Sequence, residues 1–136
     1  MSSYKGWKGK AWKAFSDYIR LRDCFKTTGT PDSCRCVTCN RIVPYAKIQA
    51  GHAIPGRYNS ILLHPEIVHG QCSGCNGFGG KPAEYSVFMI KTYGQMKWEA
   101  FVTLSKLVWP MKDWQWKEET EKWRKEKEKL AKELEG

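Results

Sequence analysis

The sequence predicts an α+β fold in which two short strands, a zinc knuckle and a helix form a compact unit, with further helices at both ends. Three observations predict it. Cys36/Cys39 and Cys72/Cys75 form two CxxC pairs with 32 residues between them, the ligand count and local spacing of a closed tetrahedral zinc site with four cysteine ligands. Extended segments lead up to the second pair, and a proline-started helical pattern follows it. At both chain ends apolar residues recur at helical spacing.

In chain order, residues 10–22 place Trp12, Phe15 and Ile19, flanked by Ala11 and Tyr18, on one helical face among Lys10, Lys13, Arg20 and Arg22. Thr27 to Ser33, with Gly29, Pro31 and Asp32, is a turn-rich loop into the first knuckle. Residues 42–50 read as a strand interrupted by Pro44, and 66–71 as a second strand delivering Cys72, which puts His52 at the end of the first. Ala53 to Ser60 is a loop by composition. Gly77, Gly79 and Gly80 delay the next helix until Pro82 at a first-turn position, and its stripe of Tyr85, Phe88, Met89 and Tyr93 ends at Gly94. Another helix is expected over 96–108, before Pro110.

From Asp113 onward Glu118–Lys122, Glu121–Lys125 and Glu128–Lys132 have the spacing that supports an exposed helix over 113–136. Trp116, Trp123 and Leu130 recur every seven residues, with Leu134 extending a narrow stripe. Two heptads are too few for a coiled coil, so the stripe is expected to pack on the chain's own body. This gives a zinc-containing domain over 1–112, with its basic N-terminal helix, and a charged helix over 113–136.

Charge is uneven. Residues 1–112 hold 16 Lys/Arg against 6 Asp/Glu, whereas 113–136 hold 7 against 8. A basic body of this size suits a polyanion, because neutralising phosphates releases condensed counterions without any reading of sequence. Nucleic acid is the expected partner. No apolar run approaches a signal peptide or a membrane span, so we expect a soluble, cytoplasmic protein with no membrane partner. In a reducing compartment six cysteines point to metal rather than disulfides. Cys24 and Cys34 remain as free thiols; Cys34 makes a CxC with Cys36 and could compete as a ligand, although the CVTC knuckle is the commoner geometry.

Between the knuckles lies Gly51-His52, and directly after the last cysteine lies Asn76. An imidazole can take a proton near neutral pH, and an amide oxygen suits a hard divalent cation. A base and a metal ligand held by a zinc staple describe a phosphodiester hydrolase. Taken in order, CVTC, AGHAIPGR, VHGQCSGCN and EYSVFMI resemble the NinG/Rap family of phage recombination nucleases, within the wider HNH or His-Me finger superfamily, over residues 15–94. The Cys-pair, His, Cys-pair-Asn order is also similar to the phage endonuclease VII resolvases.

That resemblance implies a His-Me finger (ββα-metal) core and an endonuclease acting on branched DNA such as Holliday junctions or D-loops. It makes His52 the general base and Asn76 the ligand of a catalytic Mg2+ or Mn2+, distinct from the structural zinc. Products would carry 5′-phosphate and 3′-hydroxyl ends. Two departures stand out. Gly51 replaces an acidic metal ligand common in relatives, leaving Asn76 to hold the cation nearly alone, and Ile67 stands where relatives place an asparagine that orients the base loop. A backbone carbonyl, or a residue such as Asn59, must then orient His52.

Supporting candidates are His69 on the second strand, either facing the site or bracing the knuckle; Arg57, for the phosphorane or a backbone phosphate; and Glu84, which looks like the Glu of the family's EY pair and is either a second ligand or a helix-start charge. His64, beside Pro65, is expected on a surface loop. A junction enzyme with one His52 per chain obtains two active sites as a homodimer, through the N-terminal helix or the Trp116/Trp123/Leu130 stripe. The competing readings are a nicking or homing-type endonuclease on linear duplex and a non-catalytic zinc-finger DNA-binding module.

Overall fold

Helix α1 spans Gly6–Thr28 in the computed structural model, which describes residues 4–135. It is longer than the apolar stripe predicts at both ends: it begins before Gly9, and beyond Arg22 no Gly or Pro occurs until Gly29, which turns left-handed at φ 74° and donates its N–H to the Phe25 carbonyl. Strands β1 (Ser33–Arg35) and β2 (Ile42–Pro44) pair antiparallel and carry the first CxxC between them. The strand expected over 42–50 is in fact two. Pro44 has no N–H for a ladder, so β2 stops there, a 3-10 turn covers Tyr45–Lys47, and β3 runs Ile48–His52.

Strand β4 (Val68–Cys72) pairs antiparallel with β3 in the register Ile48↔Cys72 to His52↔Val68. The short helix α2 (Ser73–Gly77) follows at once, then α3 (Pro82–Tyr93), α4 (Gln95–Ser105) and α5 (Asp113–Glu135). Helix α4 ends three residues before the expected 108: Lys106 and Leu107 already donate to carbonyls three residues back, and the exposed Leu107, Val108 and Trp109 lead to Pro110. No helix among the described residues is long and apolar enough to cross a membrane.

The β3–β4 hairpin is the middle layer. Its Ala50 and Val68 pack on Phe15 and Ile19 of α1, while Ile67, just before β4, packs on Tyr85, Met89 and Phe101 from α3 and α4. Helix α5 lies along α1 and parallel to it, since Lys8 meets Trp116 and Phe15 meets Trp123. Trp116, Thr120 and Trp123 are buried there. The seven-residue stripe therefore packs on its own chain, and neither that stripe's tryptophans nor the buried face of α1 is available to a second copy. We expect Trp123→Ala, which removes an edge-on contact of 4.8 Å with Phe15, to cost about 3–5 kcal/mol in urea unfolding.

A buried polar network ties α1 to β4. Asp23 accepts the Gly70 N–H at 2.7 Å and Arg22 Nε at 2.7 Å, and Arg22 also donates to the Pro65 and Val68 carbonyls. Burial raises the Asp23 carboxyl's pKa, but His69 and then Arg22 outweigh it and hold it down at about 2 against an ordinary 3.8. A carboxylate lowered on folding contributes stability that is complete above its unfolded value and lost as pH falls through the folded one. Asp23 should therefore contribute about 2 kcal/mol that disappears between about pH 4 and pH 2. An acid titration of Asp23→Asn should lack that component.

Candidate metal centre and basic groove

The hairpin β1–β2 and the β4–α2 junction bring Cys36, Cys39, Cys72 and Cys75 together, with all four Sγ atoms within 4.8 Å of one another. Zinc–sulfur bonds of about 2.3 Å in a tetrahedron require sulfurs about 3.8 Å apart. Cys39 and Cys72 stand at 3.9 Å. The backbone N–H of Cys72 donates to Cys36 Sγ at 3.2 Å and that of Cys75 to Cys72 Sγ at 3.4 Å, bonds that favour thiolates. Burial pushes the Cys36 thiol up, but the N–H of Cys72 and the Thr38 hydroxyl bring it down to about 6. Burial, with Cys72 and the Cys36 thiolate close by, pushes Cys75 up to about 12. Sulfurs this close cannot all be thiolates until a cation neutralises them, and this donor set fits zinc.

Cys34 is not a fifth ligand. It is buried, receives the Thr27 hydroxyl at 3.6 Å, and is pushed up to about 12 by burial. Cys24 lies beside it in the same cluster, likewise raised by burial. Both remain thiols.

A groove of about 790 Å³ runs between α1 and β3, and His52, Asn76 and Arg57 all line it. Its charged lining is Lys10, Lys13, Arg20 and Arg57 against the single carboxylate Asp17. His52, at the end of β3, stacks on Trp12 of α1 with ring centres 5.0 Å apart and planes inclined by 19°. Its Nε2 is 3.0 Å from the Leu62 carbonyl. A carbonyl only accepts, so Nε2 carries the proton and Nδ1 the lone pair. Burial lowers the pKa of His52, and the Arg57 charge adds to that effect against the opposing Leu62 bond. The orienting group is thus a backbone carbonyl. Asn59 instead donates to the Trp109 carbonyl at 3.2 Å, and Ile67 is core.

Asn76, on α2, donates its Nδ2 to Gln49 Oε1 at 2.8 Å, while its Oδ1 lies beside Gly51. A Cβ at Gly51 would strike Gln71 Oε1 and crowd Asn76 Oδ1 at 3.1 Å. The glycine is therefore a steric requirement, and an acidic side chain has no room there. Gly51→Asp should lower thermal stability and displace Asn76, with no gain in metal affinity by calorimetry. Apart from the four cysteines, no group of three His, Cys, Asp or Glu side chains among the described residues converges as a metal site. Of the groove's side-chain oxygens, Gln49 Oε1 accepts from Asn76 and the Asp17 carboxylate pairs with Lys13 at 2.8 Å and Arg20 at 3.9 Å.

The other candidates lie elsewhere. His69 alternates with Val68 and faces α3; it is bonded to the Glu66 carbonyl and the Tyr93 hydroxyl and lies 3.6 Å from Asp23. That is a bracing position outside the groove. Glu84 sits exposed in the first turn of α3, also outside the groove lining. His64 is half-buried, edge-on to Phe101 at 5.2 Å, rather than free on a surface loop. Trp12 and Gln49, which touch His52 and Asn76 directly, had no signal in the sequence beyond Trp12's place in an apolar stripe.

A mixed helix and small-sheet architecture, a four-cysteine knuckle able to hold zinc and a basic groove with one histidine define an α+β protein with a candidate zinc knuckle. The family model described as bacteriophage Lambda NinG protein matches residues 1–135, and the chain belongs to that family. Among curated proteins and among solved structures no match was found.

Proposed function

We propose that this protein is a metal-dependent DNA endonuclease whose β3–β4–α2 unit works as a His-Me finger on branched recombination intermediates. The observation that carries the reading is that His52 and Asn76 line one basic groove, with the base's tautomer set by the Leu62 carbonyl. His52 Nδ1 takes the proton of a water that attacks phosphorus in line with the departing 3′ oxygen, leaving 5′-phosphate and 3′-hydroxyl ends. Burial keeps the imidazole neutral at pH 7 and ready to accept it. Asn76 is the residue to hold Mg2+ or Mn2+, which when bound neutralises charge at the scissile phosphate. Lys10, Lys13 and Arg57 attract the DNA backbone from the groove walls, and Arg57 is the cation that follows the base in the same loop.

Branched DNA is the substrate we favour, because the family is phage-derived and recombination-related and the basic body shows no separate base-reading element among the described residues. Two opposed strands are cut most simply by a homodimer assembled on the junction. The test is cleavage of a four-way junction, a flap and a linear duplex of equal length with Mn2+, alongside light scattering with and without junction. Junction cutting by a dimer is expected. Equal cutting of all three DNAs by a monomer leaves a nicking endonuclease, and mobility shifts without cutting leave a zinc-finger binding module.

A further inference from the structure

Phe78 is 81% exposed, two residues beyond Asn76. Its loop is held to the metal centre: the Phe78 N–H donates to the Gly74 carbonyl at 3.2 Å, and the Gly80 N–H to the Cys75 carbonyl at 3.1 Å. The Gly80 carbonyl in turn receives Gln71 Nε2 at 2.8 Å. Gly79 and Gly80 are both left-handed at φ 79°, and a Cβ at Gly77, Gly79 or Gly80 would meet nothing within 4 Å. The chain thus presents a phenyl ring on an anchored loop, with bare glycines and open space around it. A single exposed apolar side chain is ordinary on a protein surface; what distinguishes Phe78 is an aromatic face on an anchored loop beside a cluster of cations.

The surroundings state the chemistry of a partner. Phe78 borders the opening of the metal centre, a hollow of about 300 Å³ that Cys39, Cys72 and Cys75 line together with Arg41, Lys47 and Lys81, and no Asp or Glu lines it among the described residues. A zinc ion with four thiolates carries two negative charges, which the three cations exceed. An aromatic face beside cations is the combination that takes a nucleobase and its phosphates. In paired duplex the base faces are already covered, whereas an unpaired base at a branch has one open.

We propose that Phe78 is a stacking platform for an unpaired base of branched DNA. The choice of DNA as ligand rests on the function proposed above. Asn76 lines the groove and Phe78 the hollow at the metal centre, two residues apart along the chain, so a branched DNA lying in the groove can place an unpaired base on Phe78.

The test is fluorescence-anisotropy binding without added Mg2+ or Mn2+, comparing a three-way junction bearing two unpaired thymines with a fully paired duplex of equal length. Phe78→Ala should bind the junction between about fivefold and 150-fold more weakly and the duplex as before. Phe78→Leu, apolar but without a π face, should lose the same preference, and Phe78→Trp should keep it. Zinc content and circular dichroism confirm that each variant is folded. Unchanged junction binding by Phe78→Ala, an equal loss on both DNAs, or a wild type that does not prefer the junction overturns the proposal. The nuclease reading fails separately, if the wild type binds as expected but cuts nothing with Mn2+.

Discussion

Replacing Cys75 with serine, or extracting the metal with a strong chelator, is expected to unfold most of the domain. The four cysteines come from two segments joined by two-stranded ladders of three and five residue pairs, and the cluster around them is small: Cys24, Cys34, Val43 and Ile48 beside the ligands. Little apolar burial is left to hold β1–β2 against β4 once the metal link is gone. Structural zinc contributes on the order of 10 kcal/mol of binding free energy in small domains, more than a core of this kind supplies alone. Elemental analysis should give about one zinc per chain, and Cys75→Ser should lower the melting temperature sharply. Cys34→Ser, outside the cluster, should keep its zinc. A metal-free protein that melts like the native one would reject a structural zinc.

Loss of the histidine is expected to abolish cleavage while sparing the fold. His52→Ala should retain zinc and DNA binding but cut about two to four orders of magnitude more slowly, the usual worth of a general base. The Leu62 carbonyl loses its donor, so a stability loss of about 1–3 kcal/mol accompanies it. His52→Gln, which can still donate to that carbonyl, should restore stability without activity and so separate the two effects. Because burial lowers the His52 pKa below its ordinary 6.5, the single-turnover rate should be flat above about pH 6.5 and fall only on the acid side. Asn76→Ala should show a similar loss with partial rescue at high Mn2+. Native rates in either variant remove that residue from the chemistry.

Much of the fold was legible because its determinants are local. Pro82 and Gly94 bound α3 as expected, and β4 delivers Cys72 into a knuckle with the CxxC spacing. The seven-residue recurrence of Trp116 and Trp123 forecast a helix that packs on its own chain. The strand over 42–50 was misjudged at one point, where Pro44 ends a ladder and the chain takes a 3-10 turn before pairing with a different partner. Short-range pattern detects an extended segment and leaves its pairing open.

The candidate site divides along the same line. Residue types and spacing singled out the four candidate thiolate ligands, the histidine between them and the asparagine after them, because metal and acid–base chemistry depend on side-chain identity and on separations short along the chain. Tertiary structure alone decided the rest. It stacked Trp12 on His52 across 39 residues of intervening chain, chose the Leu62 carbonyl over Asn59 as the orienting group, and turned His69 and Glu84 away from the groove. It also explained Gly51, whose missing Cβ leaves the space that Gln71 and Asn76 occupy. Contacts between distant segments are set by which faces of α1 and α3 the β3–β4 hairpin buries, and a linear pattern carries the faces but not their partners.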